Sequence, residues 1–190
     1  MTHRSLAAFV IACLIPVTIA AQANRRTIYR EVGEVIEIGP NQHRTQTEIV
    51  IDAPPAEVWA VLTDFENMPK WSSSFQGLTG DFRNGGKVVA RFRAGGDGNV
   101  REFPHVLTLK EGVSFQWSDP FAAAPTIRDN HTYMVEPFGD GQTRFTQVDE
   151  FTGAPSGQLT TLAAANATRE SYITFNRELR NEVNRRRSQR

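Results

Sequence analysis

The chain has 190 residues, 39% hydrophobic and 22% charged, which is ordinary globular usage and about one domain in length. This excludes a disordered, fibrous or collagen-like chain. Lysine plus arginine and aspartate plus glutamate number 21 each, so the net charge is zero and there is no basic field to hold a nucleic acid.

The N-terminus opens on Met1-Thr2-His3-Arg4, continues as an apolar stretch from Leu6 to Ala21, and reaches Ala21-Gln22-Ala23 before the polar Asn24-Arg25-Arg26. A basic start, an apolar core and a small-x-small site are the parts of a secretory signal peptide, here residues 1–23 with cleavage after Ala23. Two other readings compete with it. An uncleaved anchor needs roughly 20 apolar residues, whereas this run has about 16 and carries Pro16. Val10-Ile11-Ala12-Cys13 also resembles a lipoprotein cleavage box, which would place a lipid on Cys13. The signal-peptide reading predicts an exported protein, secreted or periplasmic, with no stable membrane span. Cleavage after Ala23 also removes the single cysteine, leaving no disulfide, thiol nucleophile or cysteine metal ligand.

Residues 24–43 form a polar N-terminal extension with partial alternation through Ile28, Val32, Val35, Ile36 and Ile38, either an extra strand or a lead-in. From Thr45 to Asp52 the pattern is β-rich, and Ala53-Pro54-Pro55 ends it. Ala56 to Phe65 changes to helical spacing, with Val58, Leu62 and Phe65 on one face and Pro55 at a helix start. Glu66 to Trp71 reads as a break followed by a second short helical turn. Short β runs follow at Lys87–Arg93, Arg101–Lys110, Val113–Trp117, Ile127–Glu136 and Arg144–Phe151. Between them lie Gly95-Gly96-Asp97-Gly98, Glu111-Gly112, a loop from Asp119-Pro120 to Pro125, and Gly139-Asp140-Gly141, which together predict an antiparallel meander. After Gly157, Leu159, Leu162, Ala163, Tyr172, Ile173, Phe175, Leu179 and Val183 recur at helical spacing. They predict one long amphipathic helix, with Arg185-Arg186-Arg187 at its dipole-negative end. This order predicts an α+β helix-grip fold, in which a curved antiparallel sheet wraps a long C-terminal helix and two short helices follow the first strand.

The segment Ile49-Val50-Ile51-Asp52-Ala53-Pro54-Pro55-Ala56-Glu57-Val58-Trp59, continued by Met68-Pro69-Lys70-Trp71, resembles the SRPBCC (START-like, birch-pollen-allergen-like) superfamily. Within it, the similarity is to the polyketide cyclase/dehydrase and lipid-transport-like branch. Phe115-Gln116-Trp117, His131-Thr132-Tyr133, Gly139-Asp140-Gly141, Glu150-Phe151-Thr152-Gly153 and Phe175-Asn176 add to the match, which departs from the family at Ser72-Ser73-Ser74. The resemblance implies a ligand-binding domain over residues 44–188 with a cavity between sheet and helix for a lipid, polyketide or aromatic compound.

Strand alternation puts Phe115 and Trp117 on one face of their strand, as it does His131 and Tyr133, and likewise Phe145, Gln147, Asp149 and Phe151. The candidate cavity residues are Trp71, Phe92, Phe103, His105, Phe115, Trp117, His131, Tyr133, Phe145, Leu162, Asn166, Ile173 and Asn176. His131 is the most interesting polar group, because a histidine beside aromatics can bond a ligand carbonyl or act as a general base, with Asp149 or Glu150 as carboxylate partner. The bland alternative is a half-buried histidine bonded to a neighbour. No phosphate loop, nucleophile elbow or metal spacing appears, so neither a metal nor a cofactor is expected. Three functions remain open: a carrier of a hydrophobic small molecule, a cyclase or dehydratase using His131, and an interaction module whose cavity is filled.

Overall fold

A computed structural model describes residues 31–93, 98–121, 124–157 and 159–190. The expected export signal with its Cys13 box, residues 24–30, and most of the Gly95-to-Gly98 turn lie outside the described residues.

The first strand, β1 (Glu31–Gly39), turns through Pro40 and Asn41 into β2 (Gln42–Ile51). Proline presets the first turn position and Asn41 takes the positive φ of 56° needed at the second. Much of the polar extension is therefore an edge strand paired along β2, from Glu31 opposite Ile49 to Gly39 opposite Gln42. Helix α1 (Pro55–Leu62) starts on proline and buries Val58, Trp59, Val61 and Leu62. A single turn of 3-10 helix, Met68–Lys70, follows.

Next come β3 (Phe75–Gly80), β4 (Lys87–Arg93) and β5 (Val100–Val106), which form a small antiparallel sheet in the order β3-β4-β5. Buried Leu107 carries the chain from this sheet to β6 (Thr108–Lys110) in the larger one. Its amide and carbonyl bond Gly86 and Gly85, so the junction between the sheets is pinned at the β3–β4 turn. β7 (Ser114–Phe121), β8 (Ala124–Phe138) and β9 (Gln142–Gly153) complete a six-stranded sheet in the order β1-β2-β9-β8-β7-β6. The expected loop between Asp119 and Pro125 is instead strand on both sides of residues 122–123, because the β7–β8 ladder continues through Asp119 opposite Asp129 and Pro120 opposite Arg128.

Helix α2 (Thr161–Arg187) is capped by the Thr160 side chain, which accepts from the Ala163 amide, and carries Arg185, Arg186 and Arg187 in its last turn. It packs on β2, β1, β9 and α1. Small Ala164 and Ala165 let it approach β2 closely enough for the Thr45 hydroxyl to donate to the Ala165 carbonyl at 2.7 Å. The result is a helix-grip fold, a curved antiparallel sheet closed over one long helix.

Candidate functional site

On β7, β8 and β9 one alternating face carries the aromatic side chains inward. Phe115, Trp117, His131, Tyr133, Phe145, Gln147, Asp149 and Phe151 are all buried, so this aromatic-rich face is the concave one. Phe175 descends from α2 among these rings, with centroids 6.0 Å from Phe75, 5.9 Å from Tyr133 and 6.2 Å from Phe145. Phe115 and Tyr133 stack at 4.7 Å, and Phe75 and Tyr133 at 5.4 Å. At the edge where the two sheets meet, the rings become half-exposed. His105 stacks on Trp117 at 4.8 Å, and Phe92 lies 6.3 Å from Trp117 and 6.1 Å from Phe103.

A chain of polar side chains runs beside these rings, between sheet and helix. The ladder sets His131 opposite Asp149 and Tyr133 opposite Gln147. His131 Nε2 lies 3.2 Å from Gln147 Oε1. Gln147 Nε2 donates to Asn176 Oδ1 at 2.6 Å and to the Tyr172 carbonyl at 3.2 Å, and Asn176 Nδ2 donates to Thr47 Oγ1 at 3.1 Å. The Tyr172 hydroxyl sits 2.6 Å from Asp149 Oδ2 and 3.4 Å from His131 Nδ1. Asp149 Oδ1 is buried without a partner.

Burial dominates the electrostatics here. It pushes the His131 pKa down to about 3, with the nearby His105 adding to the effect and the Gln147 bond opposing it. The same desolvation, reinforced by the charge of Asp129, holds the Asp149 carboxyl well above the usual carboxylate range, against the pull of the Tyr172 hydroxyl. The Tyr133 and Tyr172 phenols are also raised, first by burial and then by Asp149. These shifts favour a neutral histidine beside a protonated acid.

Of the residues singled out in the sequence, the fold brings Phe115, Trp117, His131, Tyr133, Phe145, Asn176 and Asp149 together on the concave side. Phe92, Phe103 and His105 join at its open edge. Glu150 does not join them. It points to the opposite face, where it accepts from Arg44 Nε at 2.9 Å, because strand alternation separates neighbours. Leu162 is 46% exposed, and Asn166 faces solvent while donating to the Leu162 carbonyl. Ala164 and Ala165 take the inward positions on that turn of α2. Ile173 is half-buried over Gly33 of β1, away from the rings. Trp71 lies with its ring 5.5 Å from Phe175 and its buried Nε1 unpartnered, beside a polar groove formed with Asp64, Asn67, Lys70, Glu182, Arg185 and Arg186.

Tyr172 and Gln147 complete the polar chain, yet neither stood among the sequence candidates. Gln147 shared a strand face with Asp149, which is the one signal that could have found it. Among the described residues, no group of three or more His, Cys, Asp or Glu side chains could hold a metal ion. No helix of the described residues is long and apolar enough to cross a membrane.

No curated protein matches the sequence. Solved structures share its fold at low identity. The Zhui aromatase/cyclase from Streptomyces sp. R1128 matches with a TM-score of 0.58 and 15% identity over 76% of this chain and 95% of that one. Human STARD10 matches with a TM-score of 0.53 and 13% identity over 80% of this chain and 72% of its own. A START superfamily protein from Mycobacterium smegmatis matches with a TM-score of 0.55 and 14% identity over 75% of this chain and 97% of its own. The family model described as polyketide cyclase/dehydrase and lipid transport matches residues 42–184. With the helix-grip fold and this match over most of its length, the chain belongs to that family, within the SRPBCC superfamily.

Proposed function

We propose that the protein is an exported, non-catalytic binder of a hydrophobic or amphipathic small molecule, held between the sheet and α2. The observation that carries this reading is the continuous aromatic wall. It runs from buried Phe175, Phe75 and Tyr133 through Trp117 to half-exposed Phe92, Phe103 and His105. Such a wall takes up apolar surface at about 25 cal/mol per Å², with a few polar groups to orient the ligand. The ligand enters at the open edge between the two sheets, against Phe92, Phe103, His105 and Trp117. Export rests on the basic, apolar and small-x-small order of residues 1–23.

Two observations bear on the alternatives. Both ring nitrogens of His131 are engaged, by Gln147 and by Tyr172, so no free base faces a substrate and the cyclase or dehydratase reading is less favoured. The close ring packing around Phe175 favours, as a second reading, an interaction module with a filled grip. Titration with the neutral apolar dye N-phenylnaphthylamine separates them. Binding that is weakened more than about tenfold by Phe103→Asp, a charge set into the apolar wall, supports the binder. No dye uptake by folded protein supports the filled module.

A further inference from the structure

The polar chain between sheet and helix can be read hydrogen by hydrogen. Gln147 spends its amide hydrogens on Asn176 Oδ1 and the Tyr172 carbonyl, so its Oε1 is an acceptor. The facing His131 Nε2 must therefore carry a hydrogen. The Tyr172 hydroxyl has one hydrogen but two close acceptors, Asp149 Oδ2 at 2.6 Å and His131 Nδ1 at 3.4 Å. Both contacts are satisfied only when one further proton sits in the triad. It rests either on Asp149, which then donates to the phenol, or on His131 Nδ1, with the phenol donating to the carboxylate. In both cases the triad as a whole is neutral.

The groups acting on Asp149 are Asp129 on β8 and Glu150 on β9, whose charges oppose its ionisation, and the Tyr172 hydroxyl on α2 and the nearby Asn130 backbone amide on β8, which favour it; His131 stands opposite on β8 and senses His105 on β5, and Tyr133 on β8 senses the charge of Asp149 in turn. Across the ladder β2 presents Thr45; adjacent Arg44 points to the outer face and pairs with Glu150, and the next titratable group on the inner face, His43, faces Phe151 and bonds Thr161. On α2, Arg169 lies near Gly33 of β1 and pairs with Glu170. Among the described residues no lysine or arginine pairs with Asp149. A net charge on this triad, with Asp149 1% and His131 2% exposed, would therefore be buried without a counter-ion.

We propose that Asp149, Tyr172 and His131 form a one-proton latch that seats α2 on the sheet and loosens when the pH leaves a mildly acidic window. The sign follows from proton counting. With α2 seated, the triad holds one titrating proton. With α2 released and both groups in water, it holds one proton between about pH 4 and 6.5, as His⁺ with Asp⁻, none above that range and two below it. Seating is therefore independent of pH inside the window. Outside it, release grows up to tenfold per pH unit in either direction. On the alkaline side this continues until the seated triad itself gives up its proton.

The test uses the full chain, comparing wild type with Asp149→Asn, whose carboxamide still donates to Tyr172 but cannot ionise. Opening constants for the α2 amides around Phe175 are taken from hydrogen exchange at pH 5 to 8.5, and unfolding constants from urea titration to pH 9.5. The expected result is a wild-type constant level between pH 5 and 6.5 that rises about tenfold per unit above pH 7, against a level variant above pH 7. Parallel wild-type and variant curves overturn the latch. If the variant does not fold, the Asp149 carboxyl carbon and His131 ring nitrogens are followed by NMR in the wild type. One proton retained jointly from pH 5 to 7.5 is the expected result, and an Asp149 that ionises near pH 4 beside a neutral His131 overturns the proposal.

Discussion

Replacing His131 with phenylalanine removes a base that the fold keeps neutral, and the effect on stability depends on pH in a calculable way. In the folded protein burial pushes the His131 pKa down to about 3, whereas an exposed histidine titrates near 6.5. Because the folded pKa is lowered, the unfolded chain binds more protons between these values. The stabilisation that neutral His131 provides is thus complete above about pH 6.5 and falls as pH drops, by about 1.4 kcal/mol per unit. Two units below that reference, at pH 4.5, the loss is about 2.7 kcal/mol, a large share of a typical domain's stability. The assay is urea unfolding of wild type and His131→Phe at pH 7.5, 6.0 and 4.5. Subtracting one protein from the other cancels every group that titrates alike in both. The advantage of wild type over variant is expected to shrink by about 2–3 kcal/mol from pH 7.5 to 4.5. Parallel curves would mean that His131 titrates in the folded protein as it does in water, and would refute the buried, hydrogen-bonded placement of the ring.

Other substitutions separate core, backbone and surface. Phe175→Ala empties the ring position between Phe75, Tyr133 and Phe145 and should cost about 3–5 kcal/mol by denaturant titration, with a loss below about 1 kcal/mol contradicting the packing. Gly153→Ala should cost at least about 1–3 kcal/mol, because Gly153 has φ of 128°, which strains any residue with a Cβ, and the added Cβ would also clash at 2.2 Å with the Thr126 carbonyl oxygen. An unchanged midpoint would contradict that backbone geometry. Glu150→Gln removes only a part-exposed pair with Arg44 on the outer face, so stability should fall by less than about 1 kcal/mol and dye binding should be unchanged. A large loss of binding would place Glu150 on the wrong side of the sheet.

The parts of the site that could be read in the sequence are those governed by the two-residue period of a strand. Phe115 with Trp117, His131 with Tyr133, and Gln147 with Asp149 share faces because an extended chain leaves them no choice, and all six are buried. What lay beyond the sequence depends on relations between elements. The phase of α2 was set by Ala164 and Ala165 closing on Thr45, so Leu162 and Asn166 turned outward although their spacing fitted the apolar stripe. Tyr172 gained its role only from the seating of the helix over β8 and β9. β3 was missed because Phe75 to Gly80 carries two glycines with positive φ and little alternation, yet its Phe75 touches five other rings. The partial alternation of residues 24–43 left an extra strand and a lead-in both open, and the pairing of β1 along β2 was decided by the Pro40-Asn41 turn.

The central claim, that this chain is exported and carries a hydrophobic ligand in its grip, meets its most direct test in native mass spectrometry. The full chain is expressed in a bacterium that exports it and is recovered from the periplasm. The account predicts an intact mass beginning at Asn24 and a reproducible amphipathic adduct that denaturing extraction releases. A chain retaining its first residues in the cytoplasm would contradict export, and an apo mass together with no uptake of N-phenylnaphthylamine would contradict the binding function.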